Sequence, residues 1–163
     1  MNLNVDKIMS SKVITVLKTD ALEVSYMKLK SNAIRHLAVI DSENQVVGII
    51  SEQDFHRAMV SFDDSDYEFN EEEMVEDYMN PDLKFVSKDA DLINVVEKML
   101  DQQISAVLIT DNNSLVGIMT QHDLNKILIE LLRPQENVLV NVQNWIYKTP
   151  VGQIAEKLAS IGI

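Results

Sequence analysis

A chain that writes one pattern twice must find a use for both copies. The phrase GIISEQD at residues 48–54 returns as GIMTQHD at residues 117–123. An internal repeat constrains architecture more than any single motif, because each copy brings the same apolar face for burial. The likeness extends well beyond the phrase. VDKIMSSKVITV (5–16) aligns with VEDYMNPDLKFV (75–86) at an offset of seventy, placing Met9 on Met79 and Val16 on Val86. Further along, Lys18 meets Lys88, Leu22 meets Leu92, Ile34 meets Ile104 and Asp41 meets Asp111. A turn shorter by one residue then brings Gly48 onto Gly117 and Asp54 onto Asp123.

Each copy predicts the order strand, helix, strand, strand, helix. KVITV and LKFVS alternate as short strands. Positions 22, 25, 26, 29 and 92, 95, 96, 99 follow i, i+3, i+4, i+7, one buried helical face, interrupted by Ser25 in the first copy. The runs LAVID and VVGIIS, and later AVLIT and LVGIMT, are split by the turn-formers SENQ and DNNS and predict hairpins. A second helix begins after Ser51 or Thr120. One such unit is small for a core of its own. The expected fold is therefore α+β, with two β-α-β-β-α units over 1–60 and 75–132 burying each other's apolar faces sheet against sheet.

Charge separates the copies. Residues 61–77 hold nine of the twenty-six acids and no Lys or Arg, so 61–74 reads as a solvated, acidic connector. It lacks the central glycine and the oxygen spacing of a calcium loop. The net charge is −12, and no basic stripe is available to neutralise phosphates in series, which argues against nucleic acid as a partner. No apolar run approaches the ~20 residues of a membrane span, and the first residues lack the apolar core of a signal peptide. The absence of cysteine excludes disulfides and thiolate metal sites, and a cytoplasmic setting is expected. Catalysis is the weakest reading. His36, His56 and His122 fall in unrelated contexts, and no nucleophilic triad or metal-ligand spacing is present.

The repeated phrase admits two readings. Ser51-x-x-Asp54 and Thr120-x-x-Asp123, each before a helix, have the form of a capping box. In that box the hydroxyl satisfies a free N–H and the acid complements the helix dipole. Glu or Gln would reach back more readily than Asp. The same helix end favours anions, a short Asp can accept from both hydroxyls of a ribose, and the Ser or Thr can meet a ribose or phosphate oxygen. A glycine entering the turn lets backbone approach a neighbour or ligand closely. Capping and binding are compatible on one helix end.

In KIMSSKVITV, IRHLAVID and VVGIISEQDF, and again in DYMNPDLKFV, ISAVLITD and LVGIMTQHDL, the chain resembles a tandem pair of cystathionine-β-synthase (CBS) domains, a Bateman module, over residues 1–132. The resemblance implies two units about a pseudo-twofold axis with two clefts between their sheets. Clefts of this family carrying Gly-h-h-Ser/Thr-x-x-Asp, with h apolar, commonly bind adenosine-containing ligands: AMP, ADP, ATP or S-adenosylmethionine. Carried over, Asp54 and Asp123 hold the ribose, with Ser51 and Thr120 beside them at ribose or phosphate. Segments at Ile14 to Val16 and Leu83 to Val86 would lie near the adenine. Arg35 and His36 stand where relatives place phosphate-binding groups, or else form a solvated pair at a strand entrance. The second copy has Ser105 and Ala106 there. Where the family often has proline in h-P-V-V-D, this chain has Ala38 and Leu108.

Residues 133–163 extend past the pair. VLVNV alternates like a strand, and Thr149-Pro150-x-x-Gln153 opens a helix with an apolar face at Val151, Ile154, Ala155 and Leu158. TPVGQIAEKLASIGI resembles the first helix of an ACT regulatory domain, which would be cut short here. It also fits a C-terminal extension packed on the module. Two functions follow: a sensor whose clefts take an adenine nucleotide or S-adenosylmethionine as regulatory ligand, with no prosthetic group, or a ligand-independent structural module. The sensor would act as a homodimer read by a partner protein.

Overall fold

The computed structural model describes residues 4–63 and 66–132 of the chain. In chain order these form a 3-10 turn at Val5–Lys7, β1 (Thr15–Leu17), α1 (Leu22–Ser31), β2 (His36–Ile40), β3 (Val46–Ser51) and α2 (Glu52–Ala58). Then come β4 (Val60–Asp63), β5 (Asp66–Glu68), α3 (Val75–Tyr78), β6 (Phe85–Ser87), α4 (Leu92–Asp101), β7 (Ala106–Asp111), β8 (Ser114–Thr120) and α5 (Gln121–Leu132). One compact unit runs to Gln121 and a second begins at His122. The strand and helix expected within 133–163, ACT-like or otherwise, lie outside the described residues.

The repeat is visible in the sheets. β1 runs parallel to β2 and β2 antiparallel to β3, and β6, β7 and β8 repeat this order. Even the irregularities coincide: the ladder slips between Val39 and Ile40 and again between Ile109 and Thr110. The hairpin turns use asparagine in the left-handed region, Asn44 in the first and Asn112 with Asn113 in the second. Asparagine tolerates that region better than most side chains.

Period-two alternation assigns each face of the first sheet. Leu37 and Val39 turn toward α1 and α2, in a core with Val16, Leu22, Leu29, Ile50 and Phe55. Ala38, between them, turns the other way and packs with Leu108 and Ile118 of the second sheet. Val13 and Leu83, and Val46 and Leu115, pack against that cluster with Ile49 and Ala106; the first four form two pairs equivalent under the repeat. Ala38 and Leu108 stand where the resemblance leads to an expectation of proline. Their N–H groups donate to Ile14 O at 3.2 Å and Lys84 O at 2.9 Å, bonds that proline could not make. Ser25 is fully on the buried face of α1, and its hydroxyl has no hydrogen-bond partner among the described residues.

The segments that open the repeats are exchanged. Ser10 and Ile118 bond each other's backbones at 2.9 and 3.0 Å, and Asn80 and Ile49 do the same at 2.8 and 3.0 Å. Val5 N–H donates to Ala90 O and Asp6 N–H to Lys88 O, while Val75 and Glu76 donate to Asp20 O and Lys18 O. Each opening turn thus covers the strand-helix turn of the other repeat, and Val75 is wholly buried in the first repeat's core.

The acidic stretch includes a hairpin, and Asn70, Glu71 and Glu72 after it are exposed. β4 and β5 pair antiparallel, with Val60 opposite Glu68. Phe69 then packs against the first core, its ring 5.5 Å from Tyr26 and 6.2 Å from Phe55. Among the described residues no helix is long and apolar enough to cross a membrane.

Candidate functional site

Ser51 ends β3 in extended geometry and caps α2. Its Oγ accepts the Asp54 N–H at 3.4 Å, and Asp54 Oδ2 accepts the Ser51 N–H at 2.7 Å and the Ser51 hydroxyl at 2.6 Å. The capping box is complete, with aspartate closing it despite its short side chain. That leaves Oδ1, which forms an ion pair with Arg57 Nη2 one turn along α2. Arg57 is 71% exposed, and the Asp54 side chain only 14%.

Ser51 and Asp54 face a cleft of about 450 Å³ between the repeats. That volume lies in the ordinary range of small-molecule sites. The first repeat supplies His36, Ile49, Ser51, Asp54 and Arg57. The opposite wall comes from the approach to β6, residues 78–84, and from the start of β7 at Gln103 to Ala106 with Leu108. Across the cleft His36 Nε2 lies 2.9 Å from Ser105 Oγ, joining the two repeats directly. Lys84 Nζ is held by both Asp82 oxygens at 2.7 and 2.8 Å. On the same wall Tyr78 donates its hydroxyl to Glu73 Oε1 at 2.7 Å, and that hydrogen bond raises the phenol above its ordinary pKa. The cleft therefore combines an aspartate beside a hydroxyl, an apolar wall of Ile49, Leu83 and Leu108, and three basic side chains: His36, Arg57 and Lys84.

The expected site residues divide. Ser51, Asp54, His36 and Leu83 line this cleft. Arg35 does not: its guanidinium lies 3.8 Å from Glu52 Oε2 and is 71% exposed. Val16 is a core residue rather than cleft wall, because it pairs with Val39 and shares that residue's face beneath α1. Ile14 packs against the same core, and Val86 sits in β6 opposite Ile109, outside the lining of this cleft. In the second repeat Thr120 ends β8 opposite Ala106. Asp123, in the first turn of α5, is 8% exposed, with Lys126 Nζ 3.7 Å from its Oδ1.

Arg57 and Lys84 were not singled out from sequence. A signal for the first existed: Arg57 and Lys126 are equivalent under the repeat, each three residues after its aspartate. Nothing local marks Lys84, which reaches the Asp54 cleft only through the exchange of opening segments.

Comparison with known proteins bears on this geometry. The CBS domain model matches residues 5–61 and again 75–130. An uncharacterized 17.7 kDa protein of Acidianus ambivalens is 32% identical over 133 residues, 80% of this chain and 76% of that one. Arabinose 5-phosphate isomerase KdsD of Francisella tularensis is 26% identical over 128 residues, 77% of this chain but 37% of the isomerase. Among solved structures, the CBS domain pair of protein MJ0100, in complex with 5′-methylthioadenosine and S-adenosyl-L-methionine, superposes with a TM-score of 0.66. It is 23% identical, over 80% of this chain and 98% of that one. The cytosolic domain of the Mg²⁺ channel MgtE, in complex with ATP, gives 0.58 at 23% identity, over 74% of this chain and 46% of that one. At such identities these two structures establish likeness of fold.

Proposed function

The chain belongs to the CBS domain family, and from that premise we propose that it is a regulatory module whose Ser51–Asp54 cleft binds an adenosine-containing ligand. The observation that carries this reading is the position of Asp54: a carboxylate with one oxygen spent on the cap and the other paired only with the exposed Arg57, on the lining of a cleft of about 450 Å³. A ribose diol supplies two O–H donors for it, and Ile49, Leu83 and Leu108 supply apolar surface for a purine. A CBS domain pair that holds methylthioadenosine and S-adenosylmethionine, and a channel's cytosolic domain of like fold that holds ATP, support the ligand class. Thr120 and Asp123 belong to the same proposal for a second cleft. A ligand gripping both walls alters the module only through its different affinity for their open and closed arrangements.

A second reading has its own observation. Every hydrogen bond at Asp54 is already satisfied within α2 and its cap, as a purely structural role requires. A homodimer suits either reading, since Val24 and Met27 on α1 and Ile93 and Leu100 on α4 are exposed.

Calorimetric titration with AMP, ADP, ATP and S-adenosylmethionine, repeated on Asp54→Ala and Asp123→Ala, separates the two. In the sensor Asp54→Ala weakens binding by ~1.5–3 kcal/mol, about ten- to a hundredfold. Absence of heat with all four, from protein shown to be ligand-free, leaves the structural reading.

A further inference from the structure

We propose that Arg57 selects for phosphate in the Asp54 cleft, by exchanging its ion pair with Asp54 for the phosphate of a bound nucleotide. The inference rests on the adenosine-site reading above and goes beyond it by naming the residue that discriminates among adenosine compounds.

The starting point is the occupancy of the Asp54 carboxylate. Oδ2 is committed to the Ser51 N–H and hydroxyl, at 2.7 and 2.6 Å. Oδ1 is the oxygen left for a ligand hydroxyl, and Arg57 holds it. In the exchange a ribose hydroxyl takes the place of the guanidinium on Oδ1 and releases it. The released group remains a lining residue of the same cleft, on a long and largely exposed side chain. A guanidinium freed beside a nucleotide meets the partner it matches best, since its planar fork pairs with two phosphate oxygens at once.

The exchange conserves ion pairing. Before binding, Arg57 neutralises Asp54. Afterwards the diol hydrogen-bonds Asp54, and the phosphate neutralises Arg57. Neutral adenosine breaks the first pair and offers nothing in its place. S-adenosylmethionine places a sulfonium cation, and no phosphate, next to the ribose that displaces the guanidinium. A nucleoside phosphate completes the trade, and Lys84 and His36 line the same space.

The device is written twice. Lys126 stands three residues after Asp123 with Nζ 3.7 Å from Oδ1, as Arg57 stands to Asp54. A basic residue at this step is not needed for the cap, which Ser51 and Asp54 close by themselves.

The test compares AMP with adenosine by calorimetry on the full chain, for wild type, Arg57→Gln, Arg57→Lys and Asp54→Ala. The expected result is a wild-type preference for AMP that Arg57→Gln abolishes. AMP weakens about tenfold or more, the scale of a charge-assisted hydrogen bond, while adenosine binds as well or better because Oδ1 is free. Arg57→Lys recovers part of the preference, and added salt erodes it in wild type. If Arg57→Gln leaves the AMP-to-adenosine ratio unchanged while Asp54→Ala weakens both ligands, the exchange is overturned and the ribose site stands. If Asp54→Ala affects neither ligand, or wild type binds neither, the underlying reading fails and the exchange with it. Arg57 is exposed, so its variants are expected to melt with wild type, which separates lost selectivity from lost fold.

Discussion

Gly48 lies directly beneath Met79: a Cβ on Gly48 would fall 2.5 Å from Met79 Sδ and 3.3 Å from its Cβ. The relation is reciprocal, for a Cβ on Gly117 would meet Met9 Sδ at 2.5 Å and Ser10 O at 3.2 Å. The glycine that opens the repeated phrase thus admits the methionine that opens the other repeat. Gly48→Ala overpacks this contact and is expected to destabilise by about 1–2 kcal/mol. In a Met79→Ala background the same substitution should cost at least about 1 kcal/mol less, a coupling that a double-mutant cycle in urea reads directly. Equal costs in both backgrounds would mean that Met79 is not what the glycine accommodates.

Ala33 and Gln103 both follow their helices in the left-handed region, at φ 52° and 54°. The bonds Ile34 N–H to Leu29 O and Ile104 N–H to Met99 O close the two ends identically. A side chain is disfavoured in that conformation and glycine is not. Ala33→Gly is therefore expected to stabilise by about 0.5–1 kcal/mol, the relief exceeding the added entropy of the unfolded chain. A lower melting temperature would contradict this.

Phe69 ties the acidic stretch to the first core through Tyr26 and Phe55. Phe69→Ala should destabilise by about 1–3 kcal/mol, as a partly buried aromatic does. Glu71→Gln and Glu72→Gln, on exposed neighbours, should stay within about 0.5 kcal/mol of wild type. Comparable melting curves for all three would mean that Phe69 does not anchor the stretch to the core.

Glu52 carries a pH dependence. Lys30 Nζ donates to Oε1 at 3.0 Å, and this hydrogen bond lowers the carboxyl pKa, with burial opposing it and the charges of Lys30 and Arg35 assisting. A carboxyl lowered by folding contributes stability above its unfolded pKa and loses it as pH falls through the folded value. Glu52→Gln should therefore be less stable than wild type at neutral pH, and the gap should close as pH falls from about 5 toward 3. Denaturation midpoints across that range would show it. A gap independent of pH would assign the difference to packing.

The offset of seventy, the i, i+3, i+4, i+7 helical faces and the split apolar runs specified two α+β units, and the cap at Ser51–Asp54 was readable from four residues. These features depend on neighbours in the chain, where backbone sterics and short-range hydrogen bonds fix the outcome. Ser25 shows how firmly: its position keeps it buried although its hydroxyl finds no partner among the described residues.

What the sequence left open was which copy packs on which. Two copies with the same pattern satisfy the same local rules whether an opening segment covers its own repeat or the other, so periodicity cannot distinguish the arrangements. Only the folded chain assigns Met79 to Gly48, Met9 to Gly117 and Leu83 to the cleft of Asp54. The same long-range packing turns Val16 inward beneath α1 and leaves Arg35 on Glu52.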